Sequence, residues 1–486
     1  MALELVPTRQ VVPPDDGRSA HRLGDYARAS RDFSWETARR WLAGAPNGGR
    51  NIAYEAVDRH AEGDGAQRVA VAYRDATGRP RELTYADARR VTNQFANLLQ
   101  SLGVAPGEVV ASLAGHTVDV VVATIGALKN ASVCVALHPC LDPIEIRRRL
   151  ALARARVLVT TPELYHHVVA HMSPPYLDHV LVTGASTDHV TGAGDSVETH
   201  DLRTSLPRMD EDFDIPPTDP DSAALVHFTS GTTGVAKGAV HSHEAVVAYH
   251  ATAAYALDVT ADDVYWCTSH PAEVGGLPYS VIAPLTHGAT VVLEDVAGDP
   301  RRLYEVVQER RVSVLCTTPS VLARAERAGM GAARAYDVSS LRFVASLGGQ
   351  LPPALVTWGQ EALGRVVHDM WWQTETGVIA ISNFASMDVR PGSMGRPVPG
   401  VTVGLMTDDA DELVSPDDVV IDPDQVGELV VRTDLPSLFI GYLDDYESYD
   451  ASFAAGWYRT GDLVRRDHDG YYWYVGRGSR GYVTPA

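Results

Sequence analysis

The sequence predicts an α/β protein: a largely parallel sheet with helices on both faces, followed by a small, mostly antiparallel β unit. Three observations predict it. Between residues 69 and 382 short β-branched runs alternate with helix-length runs, the pattern of parallel strands joined by crossover helices. After Pro391 the helix-length runs stop, and short strand-like runs lie between turns. Finally, 486 residues exceed what one hydrophobic core serves, so about three packed modules are expected.

The elements follow in order. The first thirty residues, with Pro13, Pro14, Asp15 and Asp16, read as a loose arm. From Phe33 the pattern is helical, with Trp35, Ala38, Trp41 and Leu42 spaced for one face. Val69–Tyr73 reads as a strand, Tyr85–Leu102 as a helix, Glu108–Leu113 as a strand and Val118–Lys129 as a helix. Ala131–Leu137 and Val157–Thr160 are further strands. Ser186 to Pro220, rich in Thr, Asp, Gly and Pro, reads as a connecting loop. The alternation resumes at Ala223 and runs to about Ser382; Thr402–Met406, Gly427–Val431 and Tyr471–Val475 supply the small unit.

Composition narrows the function. Hydrophobic residues at 45% and charged residues at 21% are those of a soluble globular protein. A net charge of −21 argues against nucleic acid as a partner and requires any polyphosphate to be met by a local patch. Four cysteines make no disulfide framework, which places the chain in a reducing cytoplasm. No apolar run is long enough for a signal peptide or a membrane span, so no membrane partner is expected.

The sharpest local signal is Thr229-Ser230-Gly231-Thr232-Thr233-Gly234-Val235-Ala236-Lys237-Gly238, fed by the apolar run Ala223–Phe228, with a helix expected near Ser242. Glycines and hydroxyl residues let backbone N–H groups close round an anion, and Lys237 adds a point charge. It is not a Walker A loop. The segment resembles the phosphate-binding signature of the adenylate-forming superfamily of acyl-CoA synthetases, luciferases and nonribosomal adenylation domains. One departure is Ala236, where that family usually has proline.

The resemblance continues along the chain. Asp369-Met370-Trp371-Trp372-Gln373-Thr374-Glu375-Thr376-Gly377 is similar to the second core motif in its acetyl-CoA synthetase form. It implies that Thr374 bonds the α-phosphate, Glu375 holds Mg²⁺ and Trp371 lies against adenine; a hard cation takes a carboxylate and a purine a flat apolar face. Gly349 and Gln350, in Leu347-Gly348-Gly349-Gln350-Leu351-Pro352, match the adenine-side loop, with Gln350 for the usual glutamate. Trp457-Tyr458-Arg459-Thr460-Gly461-Asp462 implies that Asp462 accepts both ribose hydroxyls, and Arg477 matches the arginine that also reaches the ribose. The resemblance thus implies ATP, Mg²⁺ and a small carboxylic acid, joined as acyl-AMP. The implied fold is the family's large domain: two interleaved α/β subdomains over 1–390 and a small distorted β-barrel over 391–477.

Two departures carry expectations. The family continues past Gly476-Arg477 into a hinge aspartate and a C-terminal lid that brings a lysine to adenylation and opens the way for CoA; here Ser479 stands at the hinge and 478–486 form a short tail. The chain is then either cut at the hinge or the adenylating half of a split acyl-CoA ligase of the platensimycin-pathway type. In the second case a separate thioesterifying ligase completes the reaction, and CoA is used only with that partner or a lid. In the acyl pocket Trp372 closes on a short acid, but Gly275 and Gly348 replace β-branched residues, and Gly276 lies beside them. The acid is therefore expected to be larger than acetate. Glu273, where an aromatic would stand, either pairs with a polar group on the acid or turns to solvent.

Weaker signals read as structural. Cys134, His138 and Cys140 fall on a strand and its following loop, His166, His167 and His171 on a solvated helix face, and His241 and His243 at a surface helix start. His270 lies near the pocket with a structural role as default.

Overall fold

The structure is a computed structural model describing residues 21–75, 77–172, 174–184, 197–230, 236–273, 276–296, 298–406, 413–414, 426–479 and 482–485. Its near-continuous apolar strands pair in parallel, because a strand buried on both faces has no polar side to keep wet. Six run parallel in a nine-stranded sheet, in the order Val367–Trp371, Phe343–Ser346, Val314–Thr317, Val264–Cys267, Thr290–Leu293 and Val69–Arg74. Another six run parallel in an eight-stranded sheet: Ala223–Ser230, Val133–Leu137, Val109–Leu113, Ala155–Thr160, His179–Val182 and Glu198–Asp201.

Helices fill the space between the sheets. Tyr85–Ser101 opens with a capping box, in which Thr84 Oγ1 accepts from the Asp87 N–H at 3.1 Å and Asp87 returns a carboxylate to the Thr84 N–H. Its neighbour Val118–Lys129 is buried almost all round, as an apolar helix in a protein interior must be. Lys129 ends it without access to water, and its charge is met by Asp58 at 2.8 Å and by Asn93 at 2.6 Å. The largest core lies here, with Val71, Tyr265 and Val291 from one sheet and Val110, Cys134 and Leu225 from the other. Two smaller cores cover the outer faces, so five layers alternate between helix and sheet.

Trp457–Arg466 anchors the small antiparallel unit, flanked by Val426–Arg432 and Tyr472–Ser479. Val403–Met406 and Leu413–Val414 extend one side and Tyr482–Pro485 the other, with Arg477 opposite Thr484. Among the described residues these strands form an open path rather than a closed barrel. The two-residue strands Arg396–Pro397 and Gly441–Tyr442, which lie inside the span assigned to the small unit, pair instead with the nine-stranded and eight-stranded sheets.

Three local expectations are corrected. Within the first thirty residues, Tyr26–Asp32 begins a helix capped by Asp25, and the Tyr26 hydroxyl donates to the Pro397 carbonyl at 2.9 Å. The stretch read as a loop before Pro220 contains the strand Glu198–Asp201 and the helix Leu202–Ser205, because a β-edge needs no strong apolar pattern. After the phosphate-loop sequence the chain returns as the strand Ala236–Ser242, and the helix begins at Ala245.

Candidate active site

The two large sheets and the small unit meet at a cleft of about 1800 Å³. It lies at the carboxyl ends of parallel strands, where open α/β sheets bind ligands because the chain leaves each strand in a loop free to diverge. Val367–Trp371 delivers Asp369, Trp371 and, just beyond its end, Trp372, Thr374 and Glu375. Phe343–Ser346 delivers Gly348, Gly349 and Gln350, and Ala236–Ser242 delivers Lys237, paired across the ladder with Thr229. Asp462 and Arg477 come from adjacent strands of the small unit and face each other in register. Despite the acidic chain, Arg149, Lys237, Arg324, Arg459 and Arg477 all line this cleft. Carboxylates share the lining, and Arg459, Arg477 and Lys237 are paired with Glu428, Asp462 and Asp445, so Arg149 and Arg324 add positive charge beside these pairs.

Asp462 is the most connected group. Its Oδ2 accepts from Trp371 Nε1 at 2.9 Å and from Gln373 Nε2 at 2.8 Å, and its Oδ1 accepts from Arg477 at 3.0 Å. Gln373 is held in turn by the Tyr458 hydroxyl, which donates to its Oε1 at 2.8 Å. Burial raises the Asp462 pKa above the usual carboxylate value, and Arg477 and these donors oppose the rise. Asp369, wholly buried, has its pKa raised well above that value by burial.

Glu375 points across the cleft to Tyr442, whose hydroxyl donates to Oε1 at 2.7 Å. Burial and then the Glu375 charge push the Tyr442 pKa up, so the hydroxyl keeps its proton and stays a donor. One oxygen of the carboxylate is thereby aimed, and a hard cation that takes carboxylate oxygens fits the donor set. Lys237 Nζ donates to Ser448 Oγ at 2.5 Å, sits 3.5 Å from Asp445 and lies over the Tyr442 ring at 5.1 Å. Its ammonium is therefore held on the side of the cleft that carries Glu375.

Trp372 is buried edge-on against Tyr279, with ring centroids 5.2 Å apart. Gly348 has a φ of +86° and open space where a Cβ would stand, the nearest atom being Thr318 Cγ2 at 3.9 Å. Glu273 is exposed at the rim, and its carboxylate accepts from the His270 backbone N–H at 3.2 Å, closing its own turn. Gly276 does not line the cleft. A Cβ there would meet the Pro271 carbonyl oxygen at 1.9 Å, so its glycine serves backbone packing. Gly231, Thr232, Thr233, Gly234 and Gly275 lie outside the described residues, as does the side chain of Ser230.

Residues 57–443 match the family described as AMP-binding enzyme. The chain belongs to that family. The acetyl-coenzyme A synthetase of Bacillus subtilis (strain 168) is 33% identical to this AMP-binding enzyme over 94% of its chain and 77% of the relative's length. That of Deinococcus radiodurans is 31% identical over 96% and 73%. Among solved structures, a Brucella canis acyl-CoA synthetase superposes with a TM-score of 0.83 at 27% identity, covering 95% of this chain and 82% of that one. The anthranilate CoA ligase AuaEII in complex with anthranoyl-AMP gives 0.77 at 26%, covering 88% and 78%. These relatives make this AMP-binding enzyme an acid-activating ligase of the acyl-CoA synthetase kind.

Several site groups of this AMP-binding enzyme carried no signal of their own in the sequence. Tyr442 ends a two-residue strand, and Asp445 caps the five-residue helix Tyr446–Asp450 that carries Ser448, elements too short for a period, while Gln373 and Tyr458 stood inside motifs whose neighbours drew the assignment. His241 and His243 are fully buried rather than at a surface helix start. His241 Nδ1 bonds the Ser437 carbonyl at 2.9 Å, and His243 Nδ1 accepts from the Ile52 N–H at 3.2 Å. His270 bonds the Ala114 carbonyl at 3.0 Å and accepts from the Ala272 N–H at 3.0 Å, and burial holds its pKa at about 3. It shapes the pocket turn as an uncharged ring. Buried Cys134 donates to the Thr124 carbonyl.

Proposed function

We propose that this AMP-binding enzyme activates a carboxylic acid larger than acetate as its acyl-AMP, with release of pyrophosphate. The observation that carries the reading is the joining of Glu375, Lys237 and Asp462 around one cleft, with Trp371 in the same lining and bonded to Asp462. In the adenylation step a carboxylate oxygen bonds to the α-phosphorus of ATP while the bond to the bridging oxygen breaks. Pyrophosphate takes the electron pair, so no proton need move. The protein's share is therefore placement and charge neutralisation.

Thr374 and Lys237 orient and neutralise the phosphates. Glu375 would hold Mg²⁺, whose charge offsets that of the triphosphate. Asp462 has about four acceptor positions, of which three are filled, so one ribose hydroxyl finds an open position on Oδ1. A second hydroxyl displaces or shares the half-exposed Arg477. Gly348 supports the larger acid, because its open side leaves room that Trp372 alone would not. The anthranoyl-AMP held by the solved anthranilate CoA ligase is an aromatic acyl-adenylate within a related fold.

The test is carboxylate-dependent ATP–pyrophosphate exchange over a panel running from acetate to aromatic and branched acids. Exchange highest on an acid larger than acetate is the expected result. No exchange with any acid in the presence of Mg²⁺ would overturn adenylation, and a maximum on acetate would overturn the size assignment. Adding CoA to the same assay reads whether acyl-AMP formed by this chain goes on to a thioester.

A further inference from the structure

At the outer edge of the eight-stranded sheet, away from the cleft, two parallel strands bring three metal-ligating side chains together. Glu198–Asp201 is the last strand there and pairs with His179–Val182, with His179 opposite Glu198 and Leu181 opposite His200. Residues two apart along a strand share a face, so Glu198 and His200 both rise beside His179. Among the described residues this is the one group of three His, Cys, Asp or Glu whose ligand atoms lie within 4.8 Å of one another. None of the three lines the cleft.

The distances have the scale of a coordination shell. His179 Nδ1 is 3.6 Å from Glu198 Oε2 and 3.3 Å from His200 Nε2, which is 3.7 Å from the same Oε2. The centre of that triangle lies about 2 Å from each corner, the bond length of Zn²⁺ to imidazole nitrogen and carboxylate oxygen.

A second observation fixes the tautomer. His179 Nε2 stands 3.2 Å from the Leu102 carbonyl oxygen. A carbonyl only accepts, so the ring proton is on Nε2 and the Nδ1 lone pair faces the triangle. A backbone carbonyl on the far nitrogen is how proteins orient a metal-binding histidine. The plainer arrangement, a His200 N–H donating to His179, leaves the Glu198 carboxylate 3.6 Å from a lone pair. A cation between them would draw both into its shell.

We propose that His179, Glu198 and His200 form a site for a transition-metal dication of the Zn²⁺ class, with the fourth position open to water. The ion would link the edge strand to its neighbour through side chains, beside the backbone ladder they already share.

The test uses the full chain without a metal-binding tag, stripped with a chelator and titrated with Zn²⁺ by calorimetry, with Co²⁺ absorption as a second readout. One equivalent of Zn²⁺, an intense tetrahedral-type Co²⁺ band and a rise in Tm on Zn²⁺ addition are expected. His200→Ala and, separately, Glu198→Gln should weaken that equivalent by about tenfold or more while leaving ATP–pyrophosphate exchange unchanged. Glu198 is an exposed side chain, so its variant is expected to fold and keeps the test decisive. Absence of a bound equivalent in the parent chain, or unchanged stoichiometry and Co²⁺ spectrum in both variants, overturns the proposal.

Discussion

Trp371 and Asp462, 91 residues apart in the chain, are joined by a hydrogen bond of 2.9 Å from the indole Nε1 to Oδ2. The side chain expected to face adenine thus also sets the carboxylate expected to receive the ribose. Indole and carboxylate are thereby tied together across the seam between the nine-stranded sheet and the small unit.

Trp371→Phe keeps an aromatic face but removes that donor together with part of a buried ring. A hydrogen bond to a charged group contributes about 1.5–3 kcal/mol, so the KM for ATP in the exchange assay should rise by about tenfold or more. An unchanged KM would mean that the bond does not position Asp462.

Glu375→Gln removes the carboxylate expected to hold the metal, and exchange should fall by about 10²–10³. Tyr442→Phe leaves the charge but frees its direction. A smaller loss, about tenfold, and a higher Mg²⁺ requirement should follow. Both are read by Mg²⁺ titration of exchange at saturating ATP. Equal losses in the two variants would contradict a positioning role for Tyr442.

Gly348→Ala places a methyl group toward the cleft, 3.9 Å from Thr318 Cγ2, in a backbone conformation that costs an L residue about 1–2 kcal/mol. The kcat/KM for larger acids should fall relative to acetate, and the thermal midpoint by about 1–2 °C. A uniform change over the acid panel would place Gly348 outside the acyl pocket.

Stability should fall with acid through buried histidines. Burial holds His227 and His243 at about 3 and His241 at about 4, against 6.5 when exposed. Between those values the unfolded chain binds protons that the fold excludes, so their contribution is full above about 6.5 and is lost as pH falls. Asp369 and Asp462, with raised pKa, have the opposite sign: their contribution is present at low pH and lost as pH rises. The difference between the parent chain and His243→Gln isolates the histidine. Urea midpoints measured down to about pH 5 should decline less in the variant; parallel curves would contradict this.

Parallel strands and their crossover helices were legible because burial on both faces forces long apolar runs, and Val118–Lys129 matches its expected span residue for residue. Motif order likewise exposed Lys237, Thr374, Glu375, Asp462 and Arg477, all of which line one cleft. The helix Tyr26–Asp32 and the strand Glu198–Asp201 were not legible. The first buries no residue fully, and the second has only its aspartate buried, so neither carries an apolar period.

By itself the sequence determined the residue types: carboxylates, a lysine, an indole and hydroxyl–glycine turns at spacings that suit phosphate, a hard cation and a purine. Only the tertiary structure decided which of them share an atom. Tyr442 on Glu375, Gln373 on Asp462 and His179 beside His200 depend on pairing between distant strands. Local periodicity reports which face of an element is buried, whereas the register between elements is set by how whole sheets pack.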